Sequence, residues 1–240
     1  MISTKIVCTI GPASDSPEIL AELAEAGMNV ARLNFSHGTH DSHKKIIELI
    51  HKVNRIRQFP IAILLDTQGP EIRTGNETAT LISKERVTVS CPPNKENEGN
   101  IHVNYSALKS DLKPGNYISI DSGLVKLKVL GKNKKGLNCE VIDGGIVNGH
   151  RHVNLPGTVV KLPGITETDK QDILFGIKQK VNFIALSFVR SSETIREVRE
   201  LLGKHAEHTE IIAKVENQEG VERLEEIVQE ADGVMVARGD

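Results

Sequence analysis

The strongest constraint in this sequence is a repeated alternation: short, mostly apolar runs that end on charged or polar residues, separated by stretches with helical apolar spacing. Lys5 to Ile10, Asn29 to Ser36, Ile61 to Asp66, Asn182 to Val189, Glu210 to Glu216 and Gly233 to Ala237 read as strands. A first helix is bounded by Ser16 as N-cap, Pro17 in the first turn and Gly27 as terminator, with Ile19, Leu20, Leu23 and Ala24 on one face. His40 to Gln58 forms a second helix, with Ile46, Leu49, Ile50 and Val53 on one stripe. A Thr168/Gln171 capping box opens a third, running to about Lys180, and Ser191 to His205 and Asn217 to Glu230 are the last two. Nearly continuous apolar strands suit a parallel sheet covered by helices.

Repeated right-handed βα steps build either an open doubly wound sheet or a closed barrel. The polar residues favour the barrel. They sit at the C-terminal strand ends: Arg32, Asn34 and Ser36; Asp66 and Thr67; Ser187; Lys214 and Glu216; Arg238 and Asp240. Sites of (β/α)8 barrels are built from that rim. An open sheet uses its switch point, and no GxGxxG turn follows the first strand. The expected fold class is therefore α/β, a (β/α)8 TIM-type barrel of which about six steps are present.

Residues 69–163 break the rhythm. Short alternating runs dominate there: Val87 and Val89; Ile118 and Ile120; Val125, Leu127 and Val129. Pro-Gly and Gly-Gly turns separate them. This predicts a small inserted all-β domain within a discontinuous barrel domain of residues 1–68 and 164–240. Lys132 to Lys135 reads as a solvated turn.

In a strand, alternate side chains share a face, so Arg32, Asn34 and Ser36 point together, as do Lys214 with Glu216 and Arg238 with Asp240. Polar groups on a buried face are costly unless they meet a ligand or each other. Two carboxylates on neighbouring rims, Glu216 and Asp240, suit Mg²⁺ with substrate oxygens and water, and Lys214 beside them would stabilise a developing anion. The bland counterpart is a pair of rim ion pairs, Lys214–Glu216 and Arg238–Asp240. His37, His102, His150 and His152 carry no assignment from spacing. Net charge of -2, 3% aromatics and no Trp argue against nucleic-acid partners. No apolar run reaches 18 residues and no signal layout opens the chain, so no membrane partner is expected and the compartment is cytoplasmic. Three cysteines without CxxC spacing support neither a disulfide framework nor a thiolate metal site.

Seven segments then carry a resemblance: Ile6–Ser14, Met28–Gly38, Leu65–Gly75, Val153–Gly157, Leu162–Thr166, Ile211–Asn217 and Val236–Asp240. In that order, and spanning the chain, they resemble the signatures of the pyruvate kinase family. The resemblance implies a glycolytic enzyme transferring the phosphoryl group of phosphoenolpyruvate to ADP, giving pyruvate and ATP. By resemblance, Arg32 binds the substrate phosphate and Lys214 stabilises the phosphoryl group in flight. Gly239 and Asp240 contact substrate, and Glu216 and Asp240 hold Mg²⁺ or Mn²⁺. The side chains of Asn34, Ser36 and Asp66, with the Thr67 carbonyl, hold K⁺. Asn34, Phe35, Ser36, His37, Arg73 and Arg151 line the nucleotide side. Glu71 matches potassium-dependent relatives, and the inserted domain resembles the family's closing lid, hinged near Gly69-Pro70 and Pro163-Gly164. A cytoplasmic homotetramer is implied for the full-length enzyme. Gln68, Ser122 and Arg151 depart from the common pattern; the last two bear on the nucleotide contacts.

Two other readings compete. Another metal-dependent barrel enzyme acting on pyruvate enolates would explain Glu216 and Asp240, but neither the inserted region nor the monovalent-ion cluster. A non-catalytic chain, either a truncated fragment or a derived binding module, fits six barrel steps in place of eight. On that count the 240 residues by themselves are expected to be inactive.

Overall fold

The structure, a computed structural model, describes residues 4–91 and 101–237. The described residues fall into two compact units: those up to Pro70 together with Pro163–Ala237, and Glu71–Leu162.

The first unit begins with β1 (Ile6–Thr9) and α1 (Pro17–Glu25), whose N-cap Ser16 accepts the Ile19 N–H at 3.3 Å. β2 (Met28–Asn34), α2 (His40–Asn54) and β3 (Ala62–Asp66) follow. α2 is four residues shorter than its apolar spacing suggests. Asn54 stops it by pairing both ways with the Ile61 backbone, accepting at 2.8 Å and donating at 2.9 Å.

The second unit holds β4 (Ala79–Leu81), β5 (Arg86–Ser90), β6 (Ile101–His102), the single-turn α3 (Leu108–Asp111), β7 (Tyr117–Ile120), β8 (Val125–Lys132), β9 (Leu137–Asp143), β10 (Gly145–Val147) and β11 (Val153–Asn154). β11-β7-β8-β9-β5-β6 form one sheet and β10-β4 a second. Val87, Val89, Ile118, Ile120, Val125, Leu127 and Val129 all face its core, as their alternation predicts. Lys132 to Lys135 connects β8 to β9 through a turn in which the Asn133 side chain accepts two backbone N–H groups. Among the described residues of this unit, α3 is the one helical departure from an all-β reading.

The chain returns to the first unit through α4 (Glu167–Gln179), β12 (Phe183–Leu186), α5 (Ser192–Leu202), β13 (Glu210–Val215), α6 (Gln218–Glu222), α7 (Leu224–Glu230) and β14 (Gly233–Val236). The capping box of α4 is Thr166/Asp169, not Thr168/Gln171. Asp169 wins because its short carboxylate is fully buried and also accepts the Gly69 N–H at 3.0 Å. Asn217 to Glu230 is two helices: the backbone leaves helical geometry at Arg223. Gly220 anchors the first piece, where a Cβ would lie 2.5 Å from Val189 O, and buried Ile227 anchors the second.

The six parallel strands stand in chain order, β1-β2-β3-β12-β13-β14. Order without reversal means that every right-handed crossover places its helix on the same face. The core shows this. Leu20, Ile47, Ile50, Ile173, Ile195, Val198 and Ile227 from the helices meet Ala31, Leu33, Ile63, Leu65, Ile184, Leu186, Ile211 and Ala213 from the strands. On the opposite face Val30, Leu64 and Ala185, with Ile212 and Met235 against them, form a cluster to which no helix contributes. The sheet curls so that its own side chains meet, as in a (β/α)8 barrel. Among the described residues no helix is long and apolar enough to cross a membrane. The three cysteines are unpaired, and burial pushes the Cys139 thiol up to about 12, so it is inert at neutral pH.

Candidate active site

The helix-free face of the sheet turns polar at its C-terminal end. Continuing Val30, Leu64, Ala185 and Ile212 by two residues gives Arg32, Asp66, Ser187 and Lys214. Asp66, barely exposed at 1%, is the hub. Its Oδ2 accepts from Arg32 Nε at 2.6 Å, and its Oδ1 accepts from Lys214 Nζ at 2.9 Å. Arg32 also donates to Thr9 Oγ1 at 2.7 Å across the β1–β2 register. Lys214 Nζ donates to Ser187 Oγ at 2.6 Å and lies 3.5 Å from Glu216 Oε1. The Ser187 hydroxyl donates to the Thr67 carbonyl at 2.6 Å. Glu216 Oε2 accepts the Phe188 N–H at 2.9 Å. Phe188 holds φ at 57°, a left-handed geometry unusual for a bulky residue and of the kind that concentrates at functional sites. Gly69, also left-handed at φ 76°, passes so close to Ser187 that a Cβ would lie 2.8 Å from Ser187 Cβ.

Asn34 stands opposite Asp66 in the β2–β3 register. The strand stops there instead of reaching Ser36, because the Asn34 side chain accepts the Ser36 N–H at 3.0 Å and bends the backbone. Phe35 points into the core, so only its backbone faces the turn. His37 is exposed, and its carbonyl accepts from His43 Nε2 at 2.8 Å.

These groups are all oxygen donors where a cation is concerned: Asn34, Ser36, Asp66, the Thr67 carbonyl and Glu216. Such a set fits hard cations. Asp240, with Gly239 and Arg238, lies outside the described residues. Among the described residues no three His, Cys, Asp or Glu side chains form a metal cluster.

In the second unit Arg73 pairs with Glu71 at 2.5 Å and donates to the His150 carbonyl at 2.8 Å. Arg151 lies 3.6 Å from Asp121, within a run of left-handed residues, Asp121, Ser122 and Gly123. His102 pairs with Glu77.

Sequence reasoning assigned no role to Thr9, Ser187, Phe188 or His43. Ser187 was visible as a polar residue ending a strand. The Phe188 N–H and the Thr9 hydroxyl carry no signal that distinguishes them from ordinary loop groups.

Burial pushes the His43 imidazole below its ordinary value of 6.5, against weaker opposing contributions from His37 and Asp172. The unfolded chain therefore takes up this proton more readily than the folded one. The stability contribution is complete above about pH 6.5 and is lost as pH falls toward the folded value. Asp172, raised by burial, has the opposite sign. We expect the melting temperature of wild type to fall more between about pH 7 and about pH 5 than that of His43→Leu, measured by thermal denaturation. Parallel curves would refute it.

A family model described as "Pyruvate kinase, barrel domain" matches residues 1–240. A pyruvate kinase of Staphylococcus aureus (strain MRSA252) is 48% identical over 245 residues, covering 100% of this chain and 42% of that protein. One of Sporosarcina psychrophila is 48% identical over 246 residues, with the same coverage. The chain thus spans about two-fifths of the length of the curated relatives it matches.

Proposed function

The chain belongs to the pyruvate kinase family, and from that premise we propose that it carries residues that transfer the phosphoryl group of phosphoenolpyruvate to ADP, giving pyruvate and ATP. The observation that supports this most is the buried sharing of Asp66 by Arg32 and Lys214 at the C-terminal end of the sheet.

Arg32 and Lys214 balance Asp66 and Glu216, so the described cluster is formally neutral. A phosphate ester brought beside it adds anionic charge in a largely buried place, which is costly without added cations. Glu216 with Asp240 would hold Mg²⁺ or Mn²⁺, and Asn34, Ser36, Asp66 and the Thr67 carbonyl would hold K⁺. When bound, these ions supply positive charge to the phosphoryl oxygens. Arg32, steadied by Thr9 and Asp66, binds the phosphate. Lys214 presents its ammonium to the equatorial oxygens, where phosphoryl-transfer catalysis is chiefly positioning and electrostatics. Gly239 and Asp240 contact the substrate. The Asn34–His37 turn, Arg73 and Arg151 contact the nucleotide. Residues 69–163 serve as an inserted lid that excludes water. The setting is glycolysis in the cytoplasm, in a homotetramer.

The test is pyruvate formation by the full-length protein from phosphoenolpyruvate and ADP, with K⁺ or tetramethylammonium at constant ionic strength. We expect turnover that falls at least about tenfold without K⁺, and a Glu71→Lys variant that keeps its activity there, its ammonium standing in for the cation. No pyruvate under any condition would sink the reading. Wild-type rates indifferent to K⁺ would sink the assignment of Asn34, Ser36, Asp66 and Thr67.

A further inference from the structure

The turn between β2 and α2 is held by a residue to which the reaction assigns nothing. His43, in the first turns of α2 and 7% exposed, directs Nε2 at the His37 carbonyl, 2.8 Å away. A carbonyl oxygen only accepts, so Nε2 carries the proton. Nδ1 is buried and has no hydrogen-bond partner among the described residues, so none of them stabilises a second proton there. His43 is thus a neutral imidazole in one tautomer. An unsatisfied buried nitrogen is unfavourable, and a leucine would fill the space without it. What the imidazole adds is the Nε2–H.

The ring that carries this donor is fixed on several sides. Phe35, from the same turn, stacks on it with centroids 4.0 Å apart and planes 12° apart. Gly38, at φ 81°, comes so close that a Cβ would lie 2.8 Å from Ser42 Oγ and 3.3 Å from His43 Nε2. Thr39 and Ser42 cap α2 reciprocally beside it. The start of α2 is itself braced by α4. His40 Nε2 lies 2.6 Å from Asp172 Oδ1, and the His40 ring stacks on Phe175 at 4.4 Å. The same helix reaches the loop after β3 through Asp169 and Gly69.

We infer that His43 is a positioning residue: by donating to the His37 carbonyl it fixes the His37–Gly38 peptide plane and so holds the Asn34–His37 turn in the form that receives the nucleotide. Without the donor, that peptide can rotate and carry the Ser36 and His37 backbone with it. The nucleotide role of the turn rests on the function proposed above; the grip on the turn does not.

The experiment compares full-length wild type, His43→Leu and His43→Gln. Leucine keeps apolar bulk beneath Phe35 but lacks the donor. Glutamine places an amide N–H near the position of Nε2–H. We expect His43→Leu to raise the KM for ADP about tenfold, with kcat and the KM for phosphoenolpyruvate within about twofold, and His43→Gln to recover most of the loss. Calorimetric titration with ADP should give the same ratio. Amide hydrogen exchange across Ser36–Gly38 should be faster in His43→Leu and near wild type in His43→Gln. Should His43→Leu not fold, His43→Asn, whose shorter amide cannot reach His37, takes its place. Unchanged exchange, equal impairment of the donor-free variant and His43→Gln, or a loss spread evenly over kcat and both KM values overturns the inference. If exchange responds as expected but wild type forms no pyruvate, the positioning stands and the nucleotide reading fails.

Discussion

In the full-length protein, Lys214→Met should lower kcat by about 10³-fold or more while leaving divalent-metal affinity within about twofold. Lys214 is well placed for this. Its ammonium is buried and held by Asp66, Ser187 and Glu216, so its position is set before substrate arrives. A preorganised charge in a poorly solvated place stabilises a developing anion without having to reorganise. Methionine keeps the length and apolar stem but removes the charge. The metal carboxylates are untouched, so binding and rate should separate. Steady-state rates alongside metal titration make the comparison. A variant with near-normal kcat would leave Lys214 as a structural ion-pair partner.

The second large effect concerns stability. Asp66→Asn should destabilise the fold by about 3–5 kcal/mol, because it leaves the buried Lys214 and the half-buried Arg32 without their shared carboxylate. Asparagine preserves shape and can still accept one hydrogen bond, so the loss would be mainly of charge. The double variant Asp66→Asn with Lys214→Met then offers a check. If the buried ammonium, left with only the longer carboxylate contact to Glu216, is the source of the cost, removing it should return part of the stability, giving a coupling energy of about 1–3 kcal/mol in a double-mutant cycle. Urea midpoints for the four proteins would supply it. Strictly additive losses would mean that Asp66 stabilises the fold by some route other than Lys214.

Both predictions turn on a contact that could not be read along the chain. Alternation by itself placed Arg32 with Asn34 and Lys214 with Glu216, each pair on one strand, because the two-residue period is a local property of extended backbone. The same periodicity identified the helices, the apolar strands and the β-rich stretch, since burying one face of each element demands that pattern. Local chemistry also fixed the Ser16 cap, where a serine precedes Pro17. The α4 cap failed on the same kind of evidence. Thr166/Asp169 and Thr168/Gln171 are equally plausible locally, and the choice fell to the first because Asp169 is claimed by Gly69, 100 residues away.

Which strand lies beside which is a different matter. Lys214 reaches past its own neighbour Glu216, through Ser187 at the end of β12, to Asp66 at the end of β3, 148 residues earlier. That order, β3-β12-β13, exists only after the chain has returned from residues 71–162 and the sheet has assembled. His43 and Phe188 belong with it. Nothing in their immediate sequence says that an imidazole will be buried against a carbonyl, or that a left-handed phenylalanine will offer its N–H to a glutamate. The sequence alone therefore determined the order of the main strands and helices, the strand ends on which the polar chemistry sits, and the family, but not α3, the end of α2 or the break between α6 and α7. Only the tertiary structure decided the partners, because buried charges settle on whichever opposite charges and donors the packed strands bring within about 3 Å, and that distance is not a function of separation along the chain.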